Sequence, residues 1–185
     1  MRTFIAVDLD DRLKTHFIHI IKKLDTGDRG LKWITRQGMH ITLKFLGEIS
    51  ESQKSDVERV LDKVTNKHSS FLLKFRGTGA FPQNSKNPSV LWIGLDKNEA
   101  LETLHADIEE ELAGLGFPKD NRPFHPHLTL CRIKKKSQLH PVLSRHQQNH
   151  REHFGDIIVK KVIYYKSTLM PTGAKYTVLS EHGLK

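Results

Sequence analysis

His40-Ile41-Thr42-Leu43 returns, close to half a chain later, as His127-Leu128-Thr129-Leu130. In each tetrad an imidazole and a hydroxyl alternate with two aliphatic side chains. A period of two is the pattern of a strand with one face in a core and the other out of it. His40 and Thr42 then share one face, and Ile41 and Leu43 the other; the second tetrad divides in the same way. A single His-x-Thr in a strand is weak, because threonine and branched residues favour strands in any case. Two copies at this spacing are what a duplicated, two-lobed architecture would produce, with both polar faces on one cleft. The segments around the tetrads do not match well enough to establish duplication by themselves.

Outward from the tetrads, strands and helices alternate. Thr3–Val7 reads as a strand, and Leu13, Phe17, Ile20, Ile21 and Leu24 as the stripe of a helix capped by Asp10 or Asp11. Leu31–Ile34 and Met39–Phe45 read as strands around a turn at Arg36–Gly38. Ser50 opens a second helix, with Gln53 completing a capping box and Val57, Val60, Leu61 and Val64 as its stripe. Phe71–Phe75 and Val90–Leu95 are strands flanking a loop over Gly77–Pro88. A third helix begins near Asp96–Asn98, carries Leu101, Leu104, Ile108, Leu112 and Leu115, and stops at Gly116 and Pro118. His127–Ile133 is a strand. Leu139–Phe154 is polar and only weakly periodic, and Ile157–Tyr165 and Tyr176–Leu179 close the chain as strands. This mixture predicts an α+β fold with helices packed on antiparallel sheets.

With 185 residues, the chain has the length of one compact domain or two small lobes sharing an interface. A net charge of +9 favours anionic partners, with nucleic acid first and acidic lipid second. Cys131 is the single cysteine, which suits a reducing compartment. No stretch approaches the roughly 20 apolar residues of a membrane span, and the N-terminus lacks the core of a signal peptide. The expectation is a soluble cytoplasmic protein with no membrane partner.

Two imidazoles on one cleft suit phosphoryl transfer from a cyclic diester. Histidine titrates near neutrality, so one ring can take a proton from water while the other supplies one to the departing oxygen. Threonine hydroxyls can donate to the non-bridging oxygens, where charge needs support. The scheme calls for no metal and no cofactor.

The flanks carry a resemblance over nearly the whole chain. Arg2-Thr3-Phe4-Ile5-Ala6-Val7, Met39-His40-Ile41-Thr42-Leu43-Lys44-Phe45-Leu46-Gly47, Val90-Leu91-Trp92-Ile93-Gly94-Leu95 and Pro123-Phe124-His125-Pro126-His127-Leu128-Thr129-Leu130-Cys131-Arg132 are its main blocks. Lys166-Ser167 and Pro171-Thr172-Gly173-Ala174-Lys175-Tyr176 complete it. The chain resembles the two-histidine phosphoesterases, within them the RNA 2′,3′-cyclic phosphodiesterase branch, also called 2′-5′ RNA ligase. The resemblance implies one bilobal domain over residues 1–185. Its two intertwined, pseudo-symmetric lobes would each have an antiparallel sheet, outer helices and one tetrad, with the site in the cleft between them. It implies an enzyme that opens the cyclic phosphate at an RNA or oligonucleotide end to a 2′-phosphomonoester; small cyclic nucleotides are an alternative substrate, and a monomer is expected. His40 would be the proton donor, His127 the proton acceptor, and Thr42, Thr129 and Arg132 the phosphate ligands. ATP-independent 2′-5′ ligation uses the same residues, and a silent RNA-end-binding module is the non-enzymatic alternative.

Other residues carry weaker expectations. Strict alternation places Arg132 opposite His127, so a bulge must turn it inward if it binds phosphate. The same alternation keeps Lys44 beside Thr42, where it could reach an RNA phosphate. Phe81, in the expected loop, is the better candidate for stacking on a base, and Trp92 reads as core. Lys134-Lys135-Lys136 could track an RNA backbone, although a solvated turn explains it as well. His125 and His127 have the spacing of a zinc pair without a clear third ligand, and His140, His146, His150 and His153 fall in a polar segment. If imidazole and not a Lewis acid activates water, turnover survives EDTA. A chelated enzyme that is dead and revives with zinc would make the His125–His127 pair a ligand set.

Overall fold

The structure, a computed structural model, describes residues 1–85, 87–134, 139–171 and 173–185, apart from the side chains of residues 139 and 140. Lys135, Lys136, Thr172 and the imidazole of His140 lie outside the described residues. In chain order the elements are β1 (Arg2–Asp8), α1 (Asp11–Leu24), β2 (Leu31–Trp33), a 3₁₀ turn at Arg36–Gly38 and β3 (His40–Glu48). Then come α2 (Glu51–Thr65), β4 (Phe71–Phe81), β5 (Val90–Leu95), α3 (Glu99–Ala113) and β6 (His127–Ile133). The last are α4 (Leu139–Gln148), β7 (His153–Val159), β8 (Lys161–Met170) and β9 (Gly173–Gly183).

Local signals set the helix starts. Asp10 accepts from the Leu13 amide, Ser50 and Gln53 form the expected capping box, and Asn98 caps α3. Leu13, Phe17, Ile21 and Leu24 are buried along α1, and Leu101, Leu104, Ile108 and Leu112 along α3. Leu115, expected in that stripe, lies beyond the helix end and is 39% exposed.

The strands form one antiparallel network in the order β7-β4-β5-β6-β3-β1-β8-β9, with β2 added on β6. Its two halves, lobe one (β3-β1-β8-β9) and lobe two (β7-β4-β5-β6 with β2), join through the single pair Ile41–Leu128. β4 comes from the first half of the chain yet sits in lobe two; β8 and β9 come from its end and sit in lobe one. α2 and α3 pack together behind lobe one, and α1 and α4 contact lobe two. One apolar core runs beneath both, from Ile5, Val7 and Ile41 to Leu73, Phe75 and Ile93. The fold is α+β, as the patterning predicts.

Two strand readings change. β4 continues through Ala80 to Phe81, so the expected loop begins later. It is an inner strand, pairing with β7 along one edge and with β5 along the other, and a register shift near Arg76–Gly77 lets it do both. The expected strand Ile157–Tyr165 is two strands broken at Lys160, one beside β4 and one beside β1. Apolar residues on both sides of Lys160 and Lys161 do not by themselves reveal that the chain crosses from one lobe to the other between them.

A bulge falls at the last residue of each tetrad. Ile5 pairs with Lys44 and Ala6 with Thr42, which leaves Leu43 without a partner. Leu91 pairs with Cys131 and Trp92 with Thr129, which leaves Leu130 without one. An unpaired extra residue reverses the alternation beyond it. Leu43 and Lys44 therefore both face the core, as do Leu130 and Cys131, whereas Phe45 and Arg132 return to the side of the histidines.

The expectation for Lys44 is thereby corrected. Lys44 is 5% exposed, and its Nζ donates to Glu109 Oε2 at 2.7 Å and to the Pro118 carbonyl at 2.9 Å. It is spent on an internal ion pair and offers nothing to an RNA phosphate. Glu109 Oε2 also accepts from the Asp120 amide at 3.2 Å, so the pair ties β3 and α3 to the segment leading to His127. Lys44→Met should cost about 3–5 kcal/mol in urea unfolding, because it strands a buried carboxylate. Adding Glu109→Leu should recover more than half of that loss; no recovery would mean the charges are not the cause.

Candidate active site

The pairing of Ile41 with Leu128 decides the geometry of the site. In the same antiparallel register, one residue to either side sets His40 toward Thr129 and Thr42 toward His127. The two aliphatic partners point into the core at 0% exposure, so the four polar side chains share the opposite face. Both imidazoles and both hydroxyls thus come together, as the alternation predicts. The bulge that Arg132 requires is present, and its guanidinium is close enough to act electrostatically on both rings.

Each histidine is held in the same manner. His127 Nδ1 donates to the His125 carbonyl at 2.7 Å, and the His40 ring bonds the Gly38 carbonyl. In both cases the carbonyl belongs to the residue two positions earlier. A carbonyl only accepts, so Nδ1 of His127 carries the proton and the neutral ring presents its Nε2 lone pair elsewhere. Aromatic rings fix both planes. His40 lies 4.8 Å from Phe4 and 5.2 Å, edge-on, from Tyr176, with Tyr165 at 6.1 Å. His127 lies 5.0 Å, edge-on, from Phe81 and 6.3 Å from Trp92.

Phe81 thus needs correction. It ends a strand and does not lie in a loop, and its half-buried ring packs on His127, His125 and Trp92, forming a wall of the site. Trp92 also departs from expectation: it shares the face of His127 and is only partly buried. A Cβ on Gly79 would run into the indole, so the bare glycine backbone lets Trp92 lie down against β4. The imidazole of His146, read as part of a polar segment, is 2% exposed and bonds the Gly79 carbonyl at 2.8 Å.

Sequence reasoning missed Phe4, Tyr165, Tyr176 and Phe45. The first three lie far from His40 along the chain, and no local signal marks them. Phe45 could have been found: it stands five residues after His40, as Arg132 stands five after His127. It is 62% exposed on the site face.

Burial lowers the pKa of His40 to about 4, opposed by the Gly38 carbonyl and assisted by Arg132, His127 and Lys14. Burial also lowers that of His127, against its bond to the His125 carbonyl and with help from His125 and Arg132. Both rings are therefore neutral near pH 7. An anion between them would favour the charged form and supply the missing proton affinity.

The model of the 2′-5′ RNA ligase superfamily matches residues 10–154 of this chain. The chain belongs to that superfamily. A protein of Archaeoglobus fulgidus named RNA 2′,3′-cyclic phosphodiesterase is 36% identical over 177 residues, covering 95% of this chain and 96% of its own. One of Aquifex aeolicus with the same name is 34% identical, covering 98% and 96%. The crystal structure of TT0787 of Thermus thermophilus superimposes with a TM-score of 0.85 at 27% identity, covering 100% of this chain and 98% of that one. The superfamily match spans both tetrads. Among the described residues no helix is long and apolar enough to cross a membrane.

Lowered histidines have a sign in stability. The unfolded rings take protons near their ordinary pKa, but folded His40 does so only near 4. The unfolded state thus binds more protons in that window, and stability falls as pH drops through it. Histidine NMR should show His40 titrating near pH 4. Inorganic phosphate should raise that midpoint by about 1–3 pH units, the effect of an adjacent opposite charge. A midpoint that phosphate leaves unmoved would mean that no anion sits between the rings.

Proposed function

We propose that this protein hydrolyses the 2′,3′-cyclic phosphate at an RNA end, leaving a 2′-phosphomonoester and a 3′-hydroxyl. The observation that carries the reading is the convergence of His40, Thr42, His127 and Thr129 on one face, with Arg132 turned toward them by its bulge. The names of the full-length relatives support it. His127 Nε2 takes a proton from water as the water oxygen bonds phosphorus. The bond from phosphorus to O3′ breaks, and His40, protonated opposite the phosphate, gives its proton to O3′. Thr42 and Thr129 donate to the non-bridging oxygens and Arg132 neutralises their charge.

RNA or oligonucleotide ends are the partners this reading implies, and the protein acts on them as a monomer. Small cyclic nucleotides present the same phosphate. Phe45, exposed beside Thr42, offers a ring face to a base. A 5′-hydroxyl in place of water would give a 2′-5′ linkage through the same residues. The strained cyclic ester carries its own leaving group, so ATP has no part in either direction.

The test is an oligonucleotide ending in a 2′,3′-cyclic phosphate, incubated in chelator with and without a 5′-hydroxyl acceptor, with the position of the product phosphate determined. We expect a 2′-monoester. His40→Ala and His127→Ala should each lower kcat by about 10²–10⁴-fold, and the double variant by less than the product of the two. Near-normal turnover by either single variant would refute the mechanism. A ligated product dominating in the presence of acceptor would move the assignment to ligation.

A further inference from the structure

We infer that the nucleotide on the 5′ side of the cyclic-phosphate end seats in a cavity of lobe two beside His125, so that the enzyme reads two nucleotides and not one. This rests on the function proposed above. A cyclic phosphate between His40 and His127 leaves the rest of the RNA to depart along one lobe or the other. In lobe one the space around His40 is taken by the rings of Phe4, Tyr165 and Tyr176, which leaves the exposed face of Phe45 for the terminal base itself. Lobe two instead holds a cavity of about 400 Å³, within the range of small-ligand sites.

That cavity shares two walls with the reaction site. Trp92 and His125 line it, and both rings are also neighbours of His127, at 6.3 Å each. The two stand 4.9 Å apart at a steep angle, so they present two different aromatic surfaces to one occupant. The His125 carbonyl that fixes the tautomer of His127 belongs to this same wall, so an occupant here contacts the residue that orients the ring. Gly94 keeps the floor low, since a Cβ there would meet the Arg76 carbonyl at 2.9 Å.

The rim carries both charges, Arg76 and Lys97 beside Asp96 and Glu102. Arg76 is held by Asp96, its Nε donating at 2.9 and 3.2 Å to the two carboxylate oxygens, and Lys97 is exposed next to it. Aromatic walls suit a base, and the exposed ammonium of Lys97 suits its phosphodiester. The proton transfers at the cyclic phosphate use none of Arg76, Asp96 or Lys97.

The experiment compares kcat/KM for adenosine 2′,3′-cyclic phosphate with that for an adenylyl dinucleotide ending in the same cyclic phosphate. We expect the dinucleotide to be better by about 10-fold or more, largely through KM, as for one added stacked base. Making the 5′ nucleotide abasic, or replacing Lys97→Glu, should bring the ratio of the two constants toward one. Equal constants in the wild type, or an advantage that persists in either control, overturns the assignment. Hydrolysis of neither substrate is a different failure: it overturns the proposed function itself, and this inference with it.

Discussion

The pairing of Ile41 with Leu128 is the constraint on which the site depends. It joins the two half-sheets at one point, and that point is the second residue of each tetrad. Because the side chains of a strand alternate, burying these two aliphatic residues obliges their neighbours to face the other way. The apolar core thus holds the two imidazoles in place: to move either histidine, Ile41 or Leu128 would have to leave a site with no exposure. Full burial of such a side chain is worth about 1.5–3 kcal/mol, so displacement is opposed even before other contacts are considered.

The chain route reinforces this constraint. β4 leaves the first half of the sequence to lie in lobe two, and β8 and β9 return from the end to lie in lobe one. Neither lobe is complete without strands from the other half, so they cannot separate without breaking a sheet. The Lys44–Glu109 pair adds a brace at the back. It links the strand of His40 to α3 and, through Pro118 and Asp120, to the segment that enters the second tetrad. A buried pair is weak ground for stability in general, but losing one partner is costly, which fits a role in register.

The electrostatics fit a site that acquires its proton with its ligand. Burial keeps both histidines neutral, with Arg132 acting against the charge of either. In such a setting a phosphate changes the balance more than it would at an exposed pair, because screening by water is weak. The two rings are tethered equivalently, each bonded to the carbonyl two residues before it. Arg132 faces Phe45 across the pseudo-symmetry, a cation on one side and an aromatic ring on the other, and this breaks the equivalence.

The sequence by itself determined which residues share a face with which, wherever the rule was local. His40 with Thr42, His127 with Thr129, the caps at Asp10 and Ser50, and the stripes of the first three helices all follow from periods of two or 3.6 residues. Only the tertiary structure decided what lies past each tetrad. A bulge is a mismatch between two strands, and whether Leu43 or Leu130 goes unpaired depends on β1 and β5, which a window along β3 or β6 does not contain. Arg132 consequently faces the histidines and Lys44 the core, the reverse of simple alternation. Trp92, Phe4 and Tyr176 reach the site for a similar reason. Their neighbours are set by strand order, and strand order is chosen by the burial of the whole chain.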